Sequence, residues 1–174
     1  METIGEVNGE RFKTVNREDF ISWEEYFICL AKISALRSKD PNTKVGACLV
    51  DENNKVISLG YNGMPIGCLD SKMPWKRDSK DWLNTKYPFV CHAELNAILN
   101  CSGKIPENAT LYTTLFPCNE CAKALIQSRI KKIIYEEDKY DGSKSNIAAK
   151  KMFKMVGVIL KKYQNKGKSL NLII

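Results

Sequence analysis

Residues 92–161 read HAELNAILNCSGKIPENATLYTTLFPCNECAKALIQSRIKKIIYEEDKYDGSKSNIAAKKMFKMVGVILK. Apolar positions in this stretch pass repeatedly between helical and strand spacing. Leu95, Ile98 and Leu99 follow His92 at helical spacing, and the pattern ends near Gly103. Thr110–Thr114 is a β-prone run that leads into Phe116-Pro117. A helix is expected from about Cys118 to Ser128, a strand over Lys132–Tyr135, a helix over Ser145–Val156 and a strand over Val158–Lys161. Helices that alternate with strands imply right-handed crossovers and largely parallel strands.

Working outward, Ser22-Trp23-Glu24-Glu25 has the form of a capping box, and Trp23, Tyr26, Phe27, Leu30 and Ile33 recur at helical spacing, so a first helix is expected over Trp23–Arg37. Val45–Val50 and Lys55–Leu59 are short β-prone runs joined by the turn-rich Asp51-Glu52-Asn53-Asn54, which suits an antiparallel hairpin. From Gly60 to Val90 there is no sustained periodicity, and Gly60, Gly63, Pro65, Gly67, Pro74 and Pro88 punctuate the chain. Long ordered loops of this kind tend to carry function. The expectation is an α/β domain of three layers, α/β/α, whose sheet starts with a hairpin.

At 174 residues, with 44% apolar and 27% charged residues, one globular domain accounts for the chain and disorder does not. The net charge of +7 suggests nucleic acid until it is located. Residues 142–174 hold eight lysines and no acid, which leaves 19 basic against 20 acidic groups in the first 141 residues. The body is neutral and the end is basic. The organisation read from this is a leader over 1–22, a domain over 23–161 and a basic tail over 162–174. No run approaches the roughly 20 apolar residues of a membrane span, and the polar start lacks a signal-peptide core, so no membrane contact and a cytoplasmic or nuclear location are expected. Seven cysteines, an odd number, argue for reduced thiols, some of them metal ligands; Cys29, Cys48 and Cys101 fall in apolar contexts and are expected to be buried.

His92-Ala93-Glu94 opens one expected helix and Pro117-Cys118-Asn119-Glu120-Cys121 opens the next. Together they supply an imidazole, two thiolates and a spare carboxylate. Three protein ligands leave the fourth position of a tetrahedral zinc ion free, the arrangement of a catalytic site. Thiolates at a helix N-terminus are favoured by the macrodipole and the free backbone N–H groups. His92 and Glu94 would diverge on a continuous helix, at about 100° per residue, so their spacing makes sense only at a helix end. There one side chain can reach the metal and the other, Glu94, can act as a proton shuttle. The competing structural reading is a closed knuckle in which Cys91 and His92 join Cys118 and Cys121. It asks adjacent side chains, which normally diverge, to meet one ion, and it leaves Glu94 without a role.

H-x-E followed by P-C-x-x-C is the signature of zinc nucleobase deaminases. Asp40–Cys48 (DPNTKVGAC), Gly60–Gly67 (GYNGMPIG), Lys86–Ile98 (KYPFVCHAELNAI) and Leu115–Lys123 (LFPCNECAK) extend the match, and residues 23–161 resemble the deoxycytidylate deaminase family. The resemblance implies a cytidine-deaminase-like fold with a five-stranded mixed sheet and hydrolysis of dCMP to dUMP and ammonia, supplying dUMP for thymidylate synthesis. It implies catalytic zinc on His92, Cys118 and Cys121, with Glu94 moving protons between water, ring N3 and the leaving amine. It points to Asn62 as a partner of the deoxyribose and to the Ala93 N–H as a partner of the pyrimidine carbonyl. For the 5′-phosphate, Arg37 and Tyr140 are candidates. A homohexamer activated by dCTP with Mg²⁺ and inhibited by dTTP is also implied, and Trp75, Lys76 and Arg77 in the long loop are the residues offered for that effector. Two alternatives remain at this stage: a polynucleotide deaminase acting on tRNA or single-stranded DNA, against which the neutral body argues, and a non-catalytic zinc-stabilised interaction module.

Overall fold

The computed structural model describes residues 3–7, 10–14, 17–165, 167, 169 and 171. The most N-terminal of these form an antiparallel hairpin of β1 (Thr3–Val7) and β2 (Glu10–Thr14), with Thr3 opposite Thr14. Of the expected basic tail, residues 166, 168, 170 and 172–174 lie outside the described residues.

Helix α1 (Trp23–Ala35) starts where the capping box places it: Glu25 N–H donates to Ser22 Oγ, and Ser22 N–H donates back to Glu25 Oε2 at 2.6 Å. It ends two residues before the expected Arg37. The Leu36, Arg37 and Ser38 amides bond three residues back, to Ile33, Ser34 and Ala35, which tightens and terminates the last turn.

Strands β3 (Gly46–Val50) and β4 (Val56–Tyr61) pair antiparallel, with Gly46 opposite Tyr61. Helix α2 (Ala93–Leu99), strand β5 (Thr110–Leu115), helix α3 (Asn119–Gln127), strand β6 (Lys132–Glu137), helix α4 (Lys144–Met155) and strand β7 (Ile159–Lys162) follow. The five-stranded sheet has the order β4-β3-β5-β6-β7, antiparallel on the hairpin side and parallel from β5 onward. Because β5, β6 and β7 are laid down in one direction, right-handed crossovers place α3 and α4 on the same face.

Strand alternation then divides the core. Ala47, Leu49, Leu111 and Ile133 face α2, α3 and α4 and pack with Ala97, Leu125 and Phe153, all fully buried. Cys48, Val50, Tyr112 and Ile134 point the other way, against Phe27, Ile28 and Ala31 of α1. The three expected layers are present. Of the three cysteines expected in the interior, Cys48 is fully buried and Cys29 and Cys101 are only partly so; Cys101 sits at a turn, where its thiol donates to Gly103 O.

Two glycines set how closely the helices approach. A Cβ at Gly46 would lie 1.9 Å from Ala31 O in α1, and one at Gly60 would lie 2.1 Å from Ala93 O in α2. Only hydrogen allows either contact. The Gly60–Val90 stretch holds two three-residue 3₁₀ turns, Asp70–Lys72 and Trp82–Asn84, and is otherwise irregular. No helix among the described residues is long and apolar enough to cross a membrane.

Candidate active site and metal centre

The N-termini of α2 and α3 meet at the carboxyl end of the parallel strands, where α/β folds place their ligand crevices. His92 is the N-cap of α2 and Cys118 the N-cap of α3, with Cys121 three residues into that helix. Capping positions have extended backbone, which turns these side chains toward each other and away from their own helices.

The ligand atoms of His92, Cys118 and Cys121 all lie within 4.8 Å of one another. His92 Nδ1 is 3.3 Å from each sulfur. Glu94 is buried at 4% exposure, and its Oε2 lies 3.6 Å from Cys121 Sγ. One soft imidazole nitrogen and two thiolates with a carboxylate alongside fit a zinc ion that keeps a position for water. Cys91 is outside this group, so the closed knuckle is not formed. Its backbone is used elsewhere, bridging to Gly63 through both of its polar groups at 2.9 and 3.0 Å.

The charge balance of the metal-free cluster follows from its contacts. The hydrogen bond from Cys121 and the His92 imidazole hold the Cys118 thiol down to about 4. His92 is raised to about 9, chiefly by its bond to Cys118. Cys121, facing the Cys118 thiolate and buried, is pushed well above an ordinary thiol, and burial raises Glu94 against the pull of His92. The metal-free cluster thus carries an imidazolium–thiolate pair beside the still-protonated Cys121 thiol. A dication releases such protons by taking the thiolates and the imidazole as ligands.

Asn62 ends β4's turn and is buried; Ala93 is fully buried at the first residue of α2. Tyr140 is exposed in the turn between β6 and α4, whose neck is fixed by Asp138 and Asp141 on Lys150, each at 2.7 Å. Arg37 is exposed just beyond α1 and makes no side-chain hydrogen bond or ion pair among the described residues. The long-loop trio is divided. Trp75 is half-buried and its indole N–H donates to Asp70 O, Lys76 is exposed, and Arg77 donates from Nε to Tyr87 Oη at 3.3 Å. The phenols of Tyr87 and then Tyr140 raise Arg77's pKa.

Sequence reasoning missed the residues that hold the loop and α2 in place. Lys86 ion-pairs with Asp40, both buried, and Lys39 pairs with Asp70 at 2.6 Å. Ser58 Oγ donates to Ala97 O, Asn96 Nδ2 to Tyr61 O and Asn100 Nδ2 to Leu59 O, at 2.5, 2.7 and 2.8 Å. The Asn96/Asn100 spacing of four residues puts two amides on one helix face, a signal that fits an edge strand with free carbonyls. Nothing local pairs Asp40 with Lys86, which lie 46 residues apart.

The model of the cytidine and deoxycytidylate deaminase zinc-binding region matches residues 21–137. The chain belongs to the cytidine and deoxycytidylate deaminase family. It is 52% identical over 147 residues to a deoxycytidylate deaminase of Pongo abelii, covering 84% of this chain and 83% of that one. With the Homo sapiens deoxycytidylate deaminase it shares 51% over the same length, covering 84% and 83%. The crystal structure of dCMP deaminase from the cyanophage S-TIM5 in complex with dCMP and dUMP superposes with a TM-score of 0.62 at 26% identity, covering 80% of this chain and 96% of that one. The cytidine-deaminase-like fold and the zinc-dependent hydrolytic class expected from the sequence both stand, and the non-catalytic module does not.

Proposed function

We propose that the chain hydrolyses dCMP to dUMP and ammonia. The observation that carries this is the meeting of His92, Cys118 and Cys121 within 4.8 Å beside the buried Glu94, in a chain about half identical to deoxycytidylate deaminases. Zinc held by the three ligands supplies the Lewis acidity that makes water nucleophilic near neutral pH. Glu94 takes a proton from the water that attacks C4 of the pyrimidine, delivers it to N3, and carries the water's second proton to the exocyclic amine. The C4–N bond breaks, a C4 carbonyl forms, and one water is consumed for one ammonia released. Burial suits Glu94 to this, because a raised carboxyl holds a proton long enough to hand it on.

The Ala93 N–H faces the pyrimidine carbonyl and Asn62 the deoxyribose. Tyr140 and Arg37 are the candidates to meet the 5′-phosphate. Supply of dUMP for thymidylate synthesis, a homohexamer, activation by dCTP with Mg²⁺ and inhibition by dTTP complete the reading. The loop between Gly60 and Val90 supports regulation because the same segment that carries Trp75, Lys76 and Arg77 leads into His92.

Ammonia release from dCMP, CMP, deoxycytidine and single-stranded DNA, measured side by side, tests the substrate. Strong preference for dCMP is expected, since a site with buried donors rejects an analogue that leaves them unpaired. Glu94→Gln should keep zinc and lose at least about 10²-fold in rate. Saturation curves with dCTP, with dTTP and with neither should differ, and identical hyperbolas would remove the regulatory part alone.

A further inference from the structure

Three buried polar side chains from three separate segments meet beside the GYNG turn: Asp40 after α1, Asn62 after β4, and Lys86 ahead of His92. Asn62 is 5% exposed and Asp40 1%. Asn62 Oδ1 accepts from Val45 N–H at 2.8 Å, and Nδ2 donates to Asp40 Oδ2 at 3.2 Å and to Thr43 O at 3.0 Å. A backbone N–H only donates, and a carboxylate and a carbonyl only accept, so the orientation of this amide is forced. Both of its N–H groups are spent inside the protein. One lone pair on Oδ1 is left.

We propose that Asp40, fixed by Lys86, locks the Asn62 amide so that it meets substrate only as a hydrogen-bond acceptor, which makes Asp40 a specificity-determining positioning residue for a sugar hydroxyl. This rests on the reading of Asn62 as the sugar's partner. An acceptor-only group selects a hydroxyl and turns away a phosphate or carbonyl oxygen. In dCMP the one sugar hydroxyl is the 3′-OH, so that is the group the lock would read.

Asp40 is built for this task. Its Oδ1 is occupied by the Asn42 and Thr43 amides at 2.8 and 3.2 Å, which leaves Oδ2 to join Lys86 Nζ to Asn62 Nδ2. Burial raises this carboxyl, and the Lys86 ammonium and the two amides outweigh that and hold it below the ordinary range. Asp40→Asn preserves shape but not polarity. The two backbone amides still claim the side-chain oxygen, so the new NH₂ faces Asn62 Nδ2, donor against donor. Turning the Asn62 amide over would relieve that clash but set Nδ2 against Val45 N–H and Oδ1 against Thr43 O, so in either orientation the variant leaves the Asn62 amide opposed by a neighbour and no longer held as a fixed acceptor.

The test compares kcat/KM for dCMP and for its 3′-deoxy analogue, 2′,3′-dideoxycytidine 5′-monophosphate, on zinc-loaded wild type, Asn62→Ala, Asp40→Asn and the double variant Asp40→Asn/Lys86→Met. The double variant removes the ammonium along with its counter-charge, which guards against a folding failure of the single one. Both substrates see the same folded fraction, so a purely structural role lowers both rates and leaves their ratio unchanged. The expected wild-type preference for dCMP is at least about 10-fold, the scale of leaving a buried acceptor unpaired. It should collapse toward 1 in all three variants. Collapse in Asn62→Ala with a wild-type ratio in both Asp40 variants would overturn the lock and keep the sugar reading. Equal ratios in wild type and Asn62→Ala would overturn the sugar reading and the lock together.

Discussion

The two halves of the metal centre are held by different physics. Cys118 and Cys121 ride on α3, whose Ala122 and Leu125 are sunk in the apolar core with Leu111, Ile133 and Phe153. Phe116, two residues before Cys118, packs edge-on to Tyr135 at 4.9 Å, and Asn119 is tied to Ser145 of α4. His92 and Glu94 ride on α2, a helix of seven residues, too short to be stable alone. That helix is fastened to the sheet's edge by the glycine contact at Gly60 and by side-chain bonds from Ser58, Asn96 and Asn100. The cysteine half is positioned by packing, which tolerates loss of a methyl group by relaxing. The histidine half reaches the same core through Ala93 and Ala97, and directional contacts and one close backbone approach fix it to the sheet's edge. Damage should therefore appear as lost stability on the first and as lost geometry on the second.

The largest effect comes from removing the cysteine half outright. Cys118→Ala or Cys121→Ala should reduce zinc, measured by elemental analysis, from one per chain to near zero and abolish ammonia release, whereas Cys91→Ala should retain both. Loss of zinc in the Cys91 variant would mean that its thiol is a ligand after all.

The next effect sets the halves against each other. Gly60→Ala places a Cβ 2.1 Å from Ala93 O, and backbone must move. A shift of about 1 Å at Glu94 costs on the order of 10²-fold in kcat. Leu125→Ala, under α3, should cost about 2–5 kcal/mol of stability by denaturant titration and leave kcat per folded, zinc-loaded molecule within a few-fold. A Gly60→Ala enzyme of normal kcat would show that α2 is not seated by this contact.

What the sequence made legible follows the same division. The β5-α3-β6-α4-β7 run was readable to within one or two residues, because its order comes from long apolar periodicities and a handedness rule. His92, Glu94, Cys118 and Cys121 were readable because ligand chemistry restricts residue type and spacing. The fastenings of α2 and the Asp40–Lys86 pair were not, since a buried ion pair between positions 40 and 86 leaves no periodic trace and either residue alone reads as a solvated charge. The end of α1 was overrun for a similar reason: Arg37 is an excellent helix former, and the turn that stops the helix is made by backbone bonds from residues 36–38.

The smallest effect sharpens the comparison at single-bond scale. Asn96 and Asn100 donate to Tyr61 O and Leu59 O on the outer side of β4, carbonyls that no neighbouring strand takes up. Asn96→Ala and Asn100→Ala should each cost about 0.5–1.5 kcal/mol, the net value of one such bond. These carbonyls can recruit water, so the loss should stay near the lower end. The locality of the effect is the informative part. Because the two bonds hold one helix to one strand, breaking them should raise hydrogen exchange at the Asn96 and Asn100 amides of α2 before any change is seen in α3 or β6. The second bond should matter more once the first is gone, since either one keeps α2 near the edge, so the double variant should lose more than the sum of the singles. Exchange rising equally in α2 and α3 would show that the two halves of the centre unfold as one unit and that the difference between them is only geometric.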